Sequence, residues 1–248
     1  MFFLLFSSFA FAQEEESFGT EAILQVIIYV LSFVAIVYAF NTIGIIGSVL
    51  VYIIFAIVFF STIYILHLAI NFFGIELGEF TLDVWAHLLF YSGMLLFAGA
   101  SRKISKYNTD PMLSPRDITI LGISAAWWVA LIALIIPLNP FVNLYAGTLI
   151  DTSGAIHFIA FGIALYAAVQ VNNMKKIVGK LISNSIIYFL ISIVFLGLIH
   201  LWELLTESWK VISLPDTVIE STELVLFTIA MISFILAFRS IKKAYHNE

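Results

Sequence analysis

"IIYFLISIVFLGLIHLWELLT", residues 186–206, decides the fold. From Ile186 to Trp202 it holds no Lys, Arg, Asp or Glu. A helix needs about 20 mostly apolar residues to cross roughly 30 Å of hydrocarbon, and this segment supplies them. Within lipid only a helix or a closed barrel satisfies every backbone N–H and C=O. A single unbroken apolar run without strict alternation selects the helix. The run then ends in a polar cluster. His200, Glu203 and Glu207 recur at i, i+3 and i+7, which predicts one stripe on that helix.

The rest of the chain repeats this chemistry. Of 248 residues, 62% are hydrophobic and 11% charged, and the mean hydropathy is +1.08. A soluble domain of this size is about half apolar and a quarter charged. The expectation is therefore an all-α, polytopic membrane bundle in contact with lipid. With no cysteine, disulfides, thiolate metal sites and cysteine nucleophiles are excluded. No Ser/His/Asp order, glycine-rich phosphate loop or nucleic-acid signature appears.

Apolar runs long enough to span lie near 22–40, 47–72, 82–100, 118–138, 153–171, 182–206 and 218–239. Seven transmembrane helices are predicted, with breaks at "NTIG" (41–44), "GIELGEF" (74–80), "KYNTDPMLSPRD" (106–117), "PLNPF" (137–141), "NNMKK" (172–176) and "SLPD" (213–216). Before them, "MFFLLFSSFAFA" (1–12) reads as a signal peptide closing on Ala10-Phe11-Ala12, although it has no basic residue near Met1. The membrane domain then occupies 13–248.

Basic residues fix the orientation. Arg102, Lys103, Lys106 and Arg116 fall between spans 3 and 4, Lys175, Lys176 and Lys180 between 5 and 6, and Arg239, Lys242 and Lys243 after span 7. Positive-inside then predicts an external N-terminus, a cytoplasmic C-terminus and a plasma-membrane location. The acids gather on the other side, among them Glu76, Asp83, Glu207, Asp216, Glu220 and Glu223.

The chain also aligns with itself. "IIFAIVFFSTIYILHLAINFF" (53–73) pairs with 186–206 and superposes His67 on His200. Upstream, Asn41 meets Asn173 and Gln25 meets His157; downstream, "HLLFYSG" from His87 meets "ELVLFTI" from Glu223. A parallel 3+1+3 repeat follows, with repeat one at about 21–105, a linker helix at 117–138 and repeat two at about 152–243.

The ionisable residues form a layer. Counted at about 1.5 Å per residue, His67, His87, His157, His200 and Glu223 come to similar depth in the outer leaflet, with Glu203 beside them. A charged group there is costly unless it is paired, solvated or bound to a cation. Imidazole with carboxylate, and no thiolate, suits a transition metal ion such as Zn or Fe. The candidate ligands are His67, His87, His157, His200, Glu203 and Glu223, with Asp83, Glu207 and Glu220 behind them. Haem is the second way to use paired histidines at one depth, with Gly93 and Gly197 giving it room. The five tryptophans read as an interfacial belt.

Three seven-span comparisons yield no assignment. A microbial rhodopsin needs a lysine in the last span, and 218–239 has none, so no retinal is expected. The 3+1+3 plan is similar to that of the SWEET sugar transporters, but those rely on prolines in the repeat helices. Here all five prolines lie outside spans 1, 2, 5 and 6. The seven-span metal-dependent amide hydrolases carry His-x-x-x-His on the last helix, which this chain lacks.

Three functions then compete. The first is a metal- or haem-binding membrane protein serving ion handling or electron transfer. The second is a sensor with a ligand- or pH-responsive outer pocket and a protein partner, in the membrane or cytoplasm, for its output. The third is an intramembrane hydrolase using metal-bound water.

Overall fold

The computed structural model of the chain describes residues 14–41, 48–73, 75–106, 114–174 and 183–246; the leader at 1–12 lies outside them. Among the described residues there are seven α-helices and no strand. They are α1 (Glu14–Phe40), α2 (Ser48–Phe73), α3 (Glu79–Lys106), α4 (Pro115–Ser153), α5 (Ala155–Met174), α6 (Ser183–Glu203) and α7 (Asp216–His246). A single π-helical turn, Leu204–Ser208, prolongs α6. Five of the helices are long and apolar enough to cross a membrane, over 81–103, 115–142, 155–174, 184–208 and 216–244. Shorter apolar stretches cover Val26–Phe40 of α1 and Val51–Ile63 of α2.

Packing arranges six helices in a ring. Around it α1 meets α2, α2 meets α3, α3 meets α5, α5 meets α6, α6 meets α7, and α7 returns to α1. The ring is filled with aromatic side chains: Phe60, Phe97, Phe189, Phe234 and Phe238 are all buried and linked by stacked, tilted and edge-on contacts. Small residues set the helix spacing, as expected where apolar burial alone does not drive association. On α5 the buried face is Ala160, Ala164 and Ala167, and a Cβ on Gly197 of α6 would stand 2.9 Å from the Ala164 methyl. A Cβ on Gly93 of α3 would stand 2.4 Å from the Phe60 ring. The space expected beside Gly93 and Gly197 for a macrocycle is thus taken up by helix packing.

Helix α4 lies outside the ring, mostly against α3. Its outward side is apolar, with Ile118, Ile123, Val129 and Ile136 each more than half exposed. An apolar surface of that kind implies contact with lipid. Its N-terminus is fixed by a capping box between Ser114 and Asp117, with Pro115 in the first turn. Asp117 also accepts from Tyr52 Oη of α2 at 2.9 Å and pairs with Lys103 of α3, so one carboxylate ties three helices together. Asp117→Ala keeps the N–H that Ser114 caps but removes the carboxylate half of the capping box and both tertiary partners. It is expected to cost about 2–3 kcal/mol, measured by thermal unfolding in detergent.

Two sequence expectations are corrected here. The break at 137–141 is absent, because α4 runs through Pro137 and Pro140 to Ser153. Each proline removes an N–H and leaves the carbonyl four residues back without its usual donor. Membrane helices tolerate this where neighbours supply other hydrogen bonds. Asn139, between the prolines, accepts at Oδ1 from Gly78 N–H (2.9 Å) and Thr81 Oγ1–H (2.7 Å), which docks the start of α3 on this turn. The chain breaks instead at Gly154, where φ is +57°. Two of the tryptophans, Trp127 and Trp128, also do not belong to an interfacial belt. Trp85, Trp127 and Trp128 donate to Leu131 O (2.6 Å), Ser92 Oγ (3.0 Å) and Thr62 Oγ1 (2.8 Å), stapling α4 to α2 and α3. Trp127 and Trp128 lie roughly 18 Å along α4 from Pro115, too deep for an interface.

Candidate metal centre

The cluster forms at the end of the bundle where α3 and α5 begin and α6 finishes. His87 lies two turns into α3, His157 in the first turn of α5, and His200 and Glu203 in the last turn of α6. Antiparallel passage of α6 beside α5 brings these positions to one level. All three histidines are buried, and Glu203 keeps 16% of its side chain exposed.

Their donor atoms converge. One ligand atom from each of His87, His157, His200 and Glu203 can be chosen so that all four lie within 4.8 Å of one another. His157 Nδ1 and His200 Nδ1 approach Glu203 Oε2 at 2.9 and 2.5 Å, and His87 Nε2 lies 3.0 Å from His157 Nδ1. His87 Nε2 is 4.0 Å from the same carboxylate oxygen. A tetrahedral ion with bonds of about 2.0–2.2 Å holds its donors roughly 3.3–3.6 Å apart. The cluster already brackets that spacing.

Asp83 sets the tautomer of His87. His87 Nδ1 stands 2.8 Å from the Asp83 carbonyl oxygen and 3.0 Å from Asp83 Oδ1. A carbonyl and a carboxylate only accept, so Nδ1 carries the proton and donates. In the neutral ring Nε2 is then a lone pair aimed at the cluster. A carboxylate behind an imidazole is the usual outer support of a metal ligand. Around this shell, the Tyr91 hydroxyl donates to Ile156 O at 2.7 Å and holds the start of α5 against α3. The Phe90 ring packs edge-on to His200 with centroids 4.0 Å apart, closing the inner side of the cluster.

The six sequence candidates fare differently. His87, His157, His200 and Glu203 are brought together. Glu223, on α7, is not among the four convergent donors, although it is within electrostatic reach of Glu203 and Asp83. Its Oε1 is buried with no hydrogen-bond partner. His67 is on α2, and its side chain lies outside the described ones. The stripe expected for His200, Glu203 and Glu207 is broken, because the π turn starts right after Glu203 and leaves Glu207 exposed. In that turn Leu204 O accepts from Trp209 N–H at 2.9 Å, five residues on. Single π turns inside helices are frequent at functional sites. No sequence signal marked this one. It arises beside Gly154, whose missing Cβ lets Leu204 and Ser208 approach. Comparison with protein-family models, curated proteins and solved structures gives no match to this chain.

Proposed function

We propose that this is an integral membrane protein that binds a divalent transition-metal ion through His87, His157, His200 and Glu203. The observation that carries the reading is the convergence of four buried or part-buried donors from three helices. Three imidazoles and one carboxylate suit Zn²⁺ or Fe²⁺. A bare ion is favoured over haem by the packing. The imidazole centroids lie 4.6, 4.8 and 6.3 Å apart, which leaves no slot for a macrocycle between them.

In this reading all seven helices span the plasma membrane with the N-terminus outside, so the cluster opens toward the acidic, external end. The 3+1+3 repeat is supported by the ring itself. Exchanging α1–α2–α3 with α5–α6–α7 leaves the order of neighbours around the ring unchanged, and α4 stands apart as the linker. Ion handling and electron transfer are the uses this placement suits.

Without an ion, the N–H groups of His157 and His200 donate to Glu203 Oε2. Those same atoms must be free of protons to bind a metal, so affinity should fall as pH is lowered. The same hydrogen-bonded network is what favours the second reading, a proton-responsive sensor. Thermal unfolding of chelator-treated protein separates the two. Zn²⁺ or Fe²⁺ at about 100 times its Kd should stabilise the fold by about 2.7 kcal/mol. Stability that responds to pH but to neither ion would give the sensor reading first place. Asp83→Asn keeps the backbone acceptor but removes the carboxylate behind His87. It should weaken ion binding about 10-fold, the lower end for an outer-shell change, as read by competition with a chelating dye.

A further inference from the structure

The four convergent donors come from α3, α5 and α6, and α7 packs against α6 along its length. Glu223 lies two turns into α7 from Asp216, at the end of the bundle where the cluster forms. Glu203 is surrounded by imidazoles; Glu223 is not. The strongest electrostatic influences on it come from Glu203, Glu207, Glu220 and Asp83, all acids. Its Oε1 is fully buried and accepts no hydrogen bond. A buried carboxylate oxygen with no donor, facing like charges, must either take up a proton or sit against a cation. A divalent ion held by the neighbouring cluster supplies that cation.

We propose that Glu223 is a fifth donor to the ion, so that the occupied site is three imidazoles and two carboxylates contributed by α3, α5, α6 and α7. The proposal rests on the four-donor reading above. It makes the ion five-coordinate, which moves the preference away from strictly tetrahedral Zn²⁺ sites and toward the histidine–carboxylate sets of iron. It also makes occupancy a clamp, because the ion then joins α7 to the other three helices.

The test uses the full chain in detergent, stripped with chelator and loaded with Co²⁺, whose visible absorption is weak in five-coordinate and strong in four-coordinate sites. Glu223→Leu keeps the volume and removes the donor. The expected result has two opposite signs. The ion-free variant unfolds at a higher temperature than the parent, because an unpartnered buried carboxylate is gone. Its Co²⁺ affinity falls at least 10-fold, and the Co²⁺ band rises severalfold in intensity. Glu223→Gln serves if the leucine variant does not fold, with the same intensity change expected. Co²⁺ bound by parent and variant with identical spectra and affinity would overturn the fifth donor and leave the four-donor site standing. A parent that binds no Co²⁺ would overturn both.

Discussion

Glu203→Gln is expected to cut transition-metal affinity by more than about 100-fold, since altering even an outer-shell partner costs about 10–100-fold and Glu203 is proposed as a direct donor. Its Oε2 is the point on which the cluster closes, at 2.5 Å from His200 Nδ1 and 2.9 Å from His157 Nδ1. Glutamine is the informative replacement. Its amide oxygen still accepts from both imidazole N–H groups, so the ion-free hydrogen bonds survive while the negative charge is lost. Alanine would instead strand two buried donors, at about 1–3 kcal/mol each, and would mix a folding defect into the result. Titration with Zn²⁺ against a competing chelator reads the affinity. An unchanged affinity in Glu203→Gln would show that the ion sits elsewhere.

Gly154→Ala is expected to destabilise the protein by about 2–5 kcal/mol. A left-handed backbone costs a non-glycine residue about 1–2 kcal/mol, and forcing extra atoms into a packed contact adds about 1–3. Gly154 has φ +57°, and an added Cβ would stand 2.5 Å from Leu204 Cδ1 and 2.9 Å from Ser208 Cβ. The leucine tip can rotate away. The serine Cβ is attached to the backbone of the π turn and can move only with it. The consequence reaches the cluster, because Gly154 immediately precedes α5 and lies three residues before His157, and the π turn follows Glu203 directly. Thermal unfolding with and without Zn²⁺ checks both effects. Loss of stability together with a weaker Zn²⁺ response is expected, and a neutral substitution would show that the turn does not set the site.

Much of the helical fold was legible because lipid simplifies the reading. Charge-free runs such as 186–202 can only be helices, and their number and order follow from hydropathy. The end of α4 was not legible. Pro137 and Pro140 signal a break in water, but here the helix continues through both, and Asn139 between them docks the start of α3. Nor were the roles of Trp127 and Trp128, since a partner such as Ser92 Oγ or Thr62 Oγ1 depends on which helices become neighbours.

The polar cluster was legible through depth. Counting along the helices placed His67, His87, His157, His200 and Glu223 at one level with Glu203 beside them; the structure gathers His87, His157, His200 and Glu203, leaves Glu223 out of the convergent set, and does not describe the His67 side chain. Depth says nothing about rotation, and rotation sets Glu207 apart from them. The π turn that displaces Glu207 packs against Gly154, a tertiary contact that periodicity does not encode. Asp83 shares a helix face with His87, and that spacing could be read in advance; its double hold on Nδ1, through carbonyl and carboxylate, could not.

The central claim is that this cluster holds a metal ion, and elemental mass spectrometry of the full chain purified in mild detergent tests it most directly, with His200→Ala prepared alongside. Near-stoichiometric zinc or iron in the parent, lost in the variant, is the result expected here. Metal absent from both, or present equally in both, would contradict it.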